Sequence, residues 1–212
     1  MQKIILFDLD GTLTDSGEGI IKSAAMVLEK FGQPVPTYEE MRVFVGPPLH
    51  ETFHKFGVPK ERCDEAVSLY RTRYTTVGLF ENFPYPGIRE LLETLKGQGH
   101  RLFVATSKPE GMSVRILEHF DLAKYFEIIA GATLDRSRLE KSDVIAYLFQ
   151  QAGNAGNCIM VGDTVFDVEG AAAHNIPTIG VAWGYGKVED MIRAGAVAIA
   201  ETPEHLLTLL NQ

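Results

Sequence analysis

The chain has 212 residues, of which 45% are hydrophobic, and a formal net charge of −8. This length supports one good core plus a modest second domain. The acidic balance argues against a nucleic-acid polymer as partner, because such binding depends on basic surface that neutralises phosphates.

Two cysteines and the apolar segments bear on the compartment. Cys63 and Cys158 lie far apart in the sequence, which fits a reduced cytosolic protein better than a secreted disulfide scaffold. The apolar start, residues 1–7, is too short for a signal sequence. No segment approaches the roughly 18 apolar residues of a membrane span. We therefore expect a soluble, cytoplasmic protein without a membrane partner, and the sequence carries no signal for its oligomeric state.

Six short apolar runs predict strands, and turn residues and a helical pattern follow most of them. The runs are residues 4–7, 102–105, 128–130, 159–162, 178–181 and 197–200. They are continuous and not alternating, so helices should cover both faces of the sheet. We predict an α/β fold with a doubly wound parallel sheet.

Residues 17–83 carry no strand signal, and this stretch is far longer than one crossover requires. Residues 19–31 have apolar side chains at helical spacing, Thr37 and Glu40 form a capping-box pattern, and residues 60–74 are amphipathic. We predict a helical cap domain over 17–83, inserted into a core formed by residues 1–16 and 84–212.

Reactive side chains recur at or just beyond the ends of the predicted strands. The set comprises Asp8 and Asp10 after the first strand, Thr106 at the end of the second, Lys141 after the third, and Asp163 and Asp167 after the fourth. Each residue taken alone fits a helix cap or a solvated surface position. Together they should meet at the carboxyl ends of the strands, where open parallel sheets bind ligands.

This set matches what phosphoryl transfer onto a carboxylate needs. A phosphate dianion repels a carboxylate, so a divalent cation held by Asp8 and Asp163 would have to bridge the two. Ligands that offer only oxygen favour magnesium. Lys141, Thr106 and the backbone amides near Gly11 would then neutralise the phosphoryl oxygens. The sequence thus predicts a Mg²⁺ cofactor.

The motifs and their order resemble the haloacid dehalogenase superfamily. They are DLDGTLTDS at 8–16, ATSKP at 105–109, Lys141, and GDT at 162–164 followed by Asp167. FVGPPL at 44–49 and GVAWGYG at 180–186 resemble the phosphoglycolate phosphatase branch, and the stretch around Arg138 and Lys141 resembles its 5′-nucleotidase-like members. The resemblance implies a phosphatase that acts on a small soluble phosphate ester, with phosphoglycolate, nucleoside 5′-monophosphates and pyrophosphate as open choices.

The resemblance also implies roles for the four aspartates. Asp8 would be the nucleophile and a metal ligand. Asp10 would act as general acid and then as base, and would bind the metal through its backbone carbonyl. Asp163 would be the remaining direct ligand, with Asp167 acting behind it or through water.

Substrate binding is implied at both domains. Thr106 and Lys141 would hold the phosphoryl group, together with backbone amides at Gly11 and at Ser107, which stands where many relatives have Asn. The cap would determine specificity, with Gly46 and His50 as substrate-binding residues.

Four other functions compete with this one. Asp10 argues against dehalogenation, which needs no proton donor for the leaving halide. A sugar phosphomutase is disfavoured because residues 17–31 lack the His and Trp of that group. A phosphorylated receiver domain is much shorter and has no place for the insert. His50, Glu51 and His54 form an HExxH pattern that indicates a zinc metalloprotease, but no convincing third ligand follows it.

Overall fold

The computed structural model describes residues 2–135, 137–153 and 156–212. The chain divides into two compact units, one formed by Met1–Asp15 with Pro84–Gln212 and the other by Ser16–Phe83. We call them the core unit and the inserted unit. The division falls one residue before the boundary at 16/17 that the sequence suggested.

The described residues form eight strands and ten α-helices. The strands are β1 (Ile4–Phe7), β2 (Thr14–Asp15), β3 (Phe83–Pro84), β4 (Arg101–Pro109), β5 (Ile128–Ala132), β6 (Cys158–Gly162), β7 (Thr178–Val181) and β8 (Ala198–Ala200). The helices are α1 (Gly17–Lys30), α2 (Tyr38–Met41), α3 (Leu49–Lys55), α4 (Cys63–Arg73), α5 (Ile88–Gly97), α6 (Glu110–His119), α7 (Lys141–Ala152), α8 (Val165–Ala172), α9 (Val188–Ala194) and α10 (Pro203–Leu210).

The core unit contains a six-stranded sheet with the order β5-β4-β1-β6-β7-β8. Every pairing in it is parallel. The sheet includes all six predicted strands, and the α/β doubly wound prediction is confirmed. Strand β1 is central: Phe7 lies opposite Val104 of β4 on one side and Val161 of β6 on the other. The strand order therefore brings the ends of β1, β4 and β6 side by side.

Burial on both faces explains the continuous apolar runs. All four residues of β1 are buried. One face packs against α7, where Leu6, Phe103 and Met160 share a cluster with Val144 and Leu148. Burying a large apolar side chain contributes about 1.5–3 kcal/mol, so this layer stabilises the packing of α7 on the sheet.

The inserted unit is helical, and local sequence signals explain its elements. Thr37 caps α2, and the predicted capping box is present: the Thr37 hydroxyl accepts from the Glu40 amide, and the Glu40 carboxylate accepts from the Thr37 amide. Phe44 packs against Phe53 and Phe56, with ring centroids 5.2 and 4.9 Å apart. The amphipathic stretch 60–74 becomes α4, which is preceded by a 3₁₀ turn and continues into a π-helical turn.

The chain leaves the core unit and returns to it at neighbouring points. The Tyr85 amide donates to the Leu13 carbonyl oxygen at 3.1 Å. In the described part of the chain, no helix has the length and apolar character that crossing a bilayer requires.

Candidate active site

Asp8 follows β1 at the start of a tight turn. The Asp8 amide donates to the Val161 carbonyl oxygen of β6 at 2.9 Å, and the Leu9 carbonyl oxygen accepts from the amide of Leu13 at 2.9 Å. Gly11 has φ +85°, and a Cβ there would collide with the Asp163 carboxylate and crowd the Tyr185 ring. Glycine is therefore required for both the conformation and the close approach.

Asp163 follows β6 and is fully buried. Its Oδ1 accepts from the Thr12 hydroxyl at 3.3 Å, and its Oδ2 accepts from the Tyr185 amide at 2.8 Å. The parallel register of β1 and β6 places Asp163 beside Asp8. The turn after β1 and the loop after β7 thus hold both oxygens of Asp163.

Lys141 is the first residue of α7, and its side chain is only 4% exposed. Its Nζ donates to the Ala105 carbonyl oxygen at 2.9 Å and lies 2.8 Å from Asp8 Oδ1 and 2.7 Å from Asp167 Oδ1. Asp167, in the first turn of α8, also accepts from the Thr164 amide in a capping box and from the Thr164 hydroxyl. One buried ammonium therefore links β4, β1 and α8.

A clamp on the preceding segment supports Lys141. The Arg138 guanidinium donates to the Gly131 carbonyl oxygen and to Glu110 Oε2, both at 2.6 Å, and stacks 3.7 Å from the centroid of the Tyr147 ring. These contacts tie the segment before α7 to β5 and α6. The sequence indicates Arg138 only through the family resemblance and predicts no contact for it.

The buried charges shift one another's pKa values. Burial raises the pKa of Asp8 to about 6, against the opposing charge of Lys141 and with a further contribution from Asp167. Burial, followed by the charges of Asp167 and Asp8, raises the pKa of Asp163 well above its usual range. Burial alone would lower the pKa of Lys141, but Asp167 and Asp8 outweigh it, so that pKa is raised. Burial is the largest cause of the raised Asp8 and Asp163 pKa values, and the neighbouring carboxylates add to it.

The grouping of three buried carboxylates fits a divalent cation. Asp8, Asp163 and Asp167 each offer a carboxylate oxygen within 4.8 Å of the others, and all three residues are buried. Oxygen ligands of this kind suit a hard cation. Three carboxylates against the single ammonium of Lys141 leave a charge that a bound cation would neutralise.

The end of β4 carries Thr106, Ser107 and Lys108. Thr106 is buried, and its hydroxyl accepts from the Lys108 amide at 3.2 Å, whereas Ser107 is exposed. The Lys108 ammonium donates to Asp10 Oδ2 at 2.6 Å. No role for Lys108 was predicted from the sequence. The signal was available, since residues two apart in an extended strand point to the same side, and Thr106 was already selected.

The loop after β7 contributes contacts that the sequence analysis also missed. The Trp183 indole donates to the Thr12 carbonyl oxygen at 3.1 Å, and the Tyr185 hydroxyl bonds to Asp15. The Tyr185 amide holds Asp163, as described above. The sequence indicates Trp183 and Tyr185 only through the resemblance of GVAWGYG.

Gly46 and His50 belong to the inserted unit. Gly46 has φ +101° and precedes α3, which contains both histidines of the HExxH pattern. His50 Nε2 lies 3.7 Å from Asp64, and His54 Nδ1 lies 3.1 Å from the Val58 carbonyl oxygen. Within the described ranges, neither histidine belongs to a group of three metal-ligating side chains.

Comparison with known proteins identifies the family. Residues 5–181 match the model of the haloacid dehalogenase-like hydrolases. The chain belongs to this family, and the predicted membership is confirmed. It is an enzyme of the phosphatase type, as the sequence predicted.

Individual relatives refine this placement. Tyrosine-protein kinase PtkA of Mycobacterium tuberculosis is 46% identical over 99% of this chain and 72% of that protein. A 5′-nucleotidase of Pseudomonas aeruginosa is 43% identical over 90% of this chain and 86% of that protein. More distant relatives named phosphoglycolate phosphatase are 29–30% identical. The crystal structure of a predicted phosphatase from Clostridium acetobutylicum has a TM-score of 0.93 at 42% identity and covers 100% of this chain and 99% of that one.

Proposed function

We propose that the protein is a magnesium-dependent phosphomonoester hydrolase that works through an aspartyl-phosphate intermediate on Asp8. One observation carries the proposal: Asp8 lies at the end of the central strand, in ion-pair contact with buried Lys141 and within a group of three buried carboxylates. A carboxylate surrounded in this way can attack phosphorus only if cations offset the repulsion between two anions.

The proposed reaction has two balanced steps. An Asp8 carboxylate oxygen forms a bond to phosphorus while the bond to the ester oxygen breaks, and Asp10 gives that oxygen its proton. Water then attacks the aspartyl phosphate, Asp10 takes a proton from the water, and inorganic phosphate leaves as the Asp8 carboxylate is restored.

Magnesium would be held by Asp8, Asp163 and the backbone carbonyl of Asp10. Its charge would offset the repulsion between the phosphate and the carboxylate. Asp167 was expected to act through water or behind the direct ligands. Because its carboxylate oxygen groups with those of Asp8 and Asp163, we propose that it supports the same cation.

The phosphoryl group would be held by Lys141, the Thr106 hydroxyl and the backbone amides of Gly11 and Ser107. We propose Gly46 and His50 as contacts for the rest of the substrate. Similarity to the protein named 5′-nucleotidase favours a nucleoside 5′-monophosphate as substrate. Similarity to the more distant relatives named phosphoglycolate phosphatase favours phosphoglycolate. Both are small soluble esters. Cytoplasmic location is part of the proposal, because both cysteines are free, which suits a reducing compartment.

Protein-tyrosine phosphorylation is a second candidate function. It rests on the name of the mycobacterial relative and on 46% identity over 99% of this chain. Radiolabelled ATP and a tyrosine-containing protein substrate would test it. Kinase activity would be favoured if the re-purified substrate protein carried label on tyrosine and if the Asp8→Asn variant of this protein failed to transfer it.

Phosphate release from a panel of metabolite phosphates tests the main proposal. With Mg²⁺ we expect turnover of at least one small ester, loss of turnover in EDTA, and recovery with excess Mg²⁺ but not Zn²⁺. Asp8→Asn should abolish turnover of every substrate, and it should also abolish the hydroxylamine-sensitive phosphate on the protein. Glu118→Gln is the matched control, because Glu118 is an exposed carboxylate of the core unit. Turnover by Asp8→Asn at the wild-type rate would overturn the proposal.

A further inference from the structure

We infer that Lys108 is the positioning residue for Asp10, so that Lys108 decides which Asp10 oxygen meets the leaving group. The inference rests on the proposed function for its kinetic consequences. Its structural premise, that Lys108 fixes the Asp10 side chain, stands apart from any activity.

The contact between these residues is close and shielded. Lys108 Nζ lies 2.6 Å from Asp10 Oδ2, and the two side chains are 6% and 14% exposed. A charge-assisted hydrogen bond of this length is among the stronger ones in proteins. Shielding from water increases its strength and lowers the number of orientations open to both side chains.

The pairing follows from the sheet. Strands β1 and β4 are parallel neighbours with Phe7 opposite Val104. Asp10 lies three residues beyond Phe7, and Lys108 lies four beyond Val104. The pairing of β4 with β5 is irregular between Thr106 and Pro109, the segment that contains Lys108. The backbone therefore brings together two side chains that are 98 residues apart.

The two carboxylate oxygens of Asp10 have different surroundings. Oδ2 accepts from Lys108, whereas the buried Oδ1 has no hydrogen-bond partner among the described residues. A buried oxygen without a partner is costly unless a ligand supplies one. Lys108 thus holds one oxygen and leaves the other for the atom that exchanges a proton with Asp10.

The two buried lysines contact different carboxylates. Lys141 contacts Asp8 and Asp167, and Lys108 contacts Asp10. Loss of Lys141 should therefore lower kcat/KM for every substrate, because it removes the positive charge beside the nucleophile. Loss of Lys108 should lower kcat/KM most for the substrates whose leaving group most needs a proton.

The kinetic test measures kcat/KM for a series of alkyl and aryl phosphates, because this ratio reports on the steps through the first chemical transfer. Lys108→Met should lower kcat/KM for an alkyl phosphate on the order of 100-fold, since positioned acid catalysis contributes that much or more. For p-nitrophenyl phosphate, whose leaving group departs as a stable anion, the loss should stay below about tenfold. Lys108→Arg should restore part of the activity toward alkyl esters. Lys96→Met, at a partly exposed lysine of α5, is the matched control.

A double-mutant cycle with Asp10→Asn separates positioning from direct binding. If Lys108 acts through Asp10, adding Lys108→Met to Asp10→Asn should change kcat/KM by less than about threefold. Equal losses for alkyl and aryl substrates, or losses that multiply in the double variant, would overturn the inference and indicate direct contact with the phosphoryl group.

A structural measurement tests the role of Lys108 independently of enzyme activity. In a crystal structure of Lys108→Met, the Asp10 carboxylate should adopt a different orientation from the wild type or occupy more than one rotamer. An unchanged, single orientation would overturn the inference. A wild-type protein that releases phosphate from no ester would instead overturn the proposed function, and the orientation of Asp10 would still decide the role of Lys108. Lys108→Gln serves the same measurement if Lys108→Met fails to fold.

Discussion

Asp8→Asn should stabilise the metal-free protein at neutral pH, although it should abolish activity. Asp8 is 8% exposed, and burial raises its pKa from 3.8 to about 6 despite the neighbouring Lys141. Compared with the unfolded chain, the folded protein therefore favours the neutral carboxyl group, and the amide of Asn resembles that neutral group. The difference between these two pKa values corresponds to about 3 kcal/mol of unfolding free energy above pH 6.

The sign of the pH dependence follows from the direction of the shift. Because the pKa of Asp8 is higher in the folded state, its contribution to stability is fully present below pH 3.8 and is lost as the pH rises through about 6. Between pH 5 and pH 7.5, the wild-type protein in EDTA should lose about 1 kcal/mol that Asp8→Asn retains. Asp163, whose pKa is raised for the same reason, adds a loss in the same direction.

Urea unfolding in EDTA, followed by the fluorescence of the single tryptophan, Trp183, measures these differences in the core unit. Glu118→Gln is the control and should change stability by no more than about 0.5 kcal/mol, because its carboxylate is exposed. In excess Mg²⁺ the order should reverse, since Asp8→Asn lacks a ligand. Asp8→Asn that is equally or less stable than the wild type in EDTA at pH 7.5 would refute the electrostatic argument.

Three other predictions concern single residues. Lys141→Met leaves Asp8 and Asp167 without their shared ammonium, so unfolding in EDTA at neutral pH should become easier by about 3–5 kcal/mol; a change below about 1 kcal/mol would contradict this. Asp10→Asn with an aryl phosphate should give a burst near one equivalent and then stop, as hydrolysis of the intermediate lacks its base; equal losses for aryl and alkyl esters without a burst would show that Asp10 is not the acid. His50→Ala should change the ranking of natural esters while p-nitrophenyl phosphate is still hydrolysed, and a uniform loss would contradict a role in specificity.

Much of the fold could be predicted from the sequence because its signals are local. Continuous apolar runs such as residues 4–7 are typical of strands with both faces covered, and β1 is buried throughout. Thr37 and Glu40 carry their capping geometry within four residues. Strand β4 proved longer than residues 102–105, since its end extends beyond the apolar run to Pro109 and pairs there with Ala132.

The site could be predicted only as far as each residue signals its own strand end. The structure brings Asp8, Lys141, Asp163 and Asp167 of the predicted set together beyond the strand ends, but the sequence did not predict how the side chains pair. Lys108 meets Asp10 through the register of two strands that are distant in sequence. Tyr185 reaches both Asp163 and Asp15 from a loop whose path no local pattern encodes. Pairings of this kind depend on tertiary distances, which spacing along the chain does not reveal.

The hydrogen bond between Tyr85 and Leu13 has a consequence for how such proteins diversify. Because departure and return occur at adjacent backbone positions, the 68-residue span Ser16–Phe83 closes a loop whose ends the core already holds together. The entropy of closing a loop grows only slowly with its length, so segments of different size can occupy this place at similar thermodynamic cost. The carboxylates and lysines of the proposed active site all belong to the other unit. Substitutions, or replacement of the whole insert, can therefore change the inserted unit while the proposed active site of the core unit stays the same.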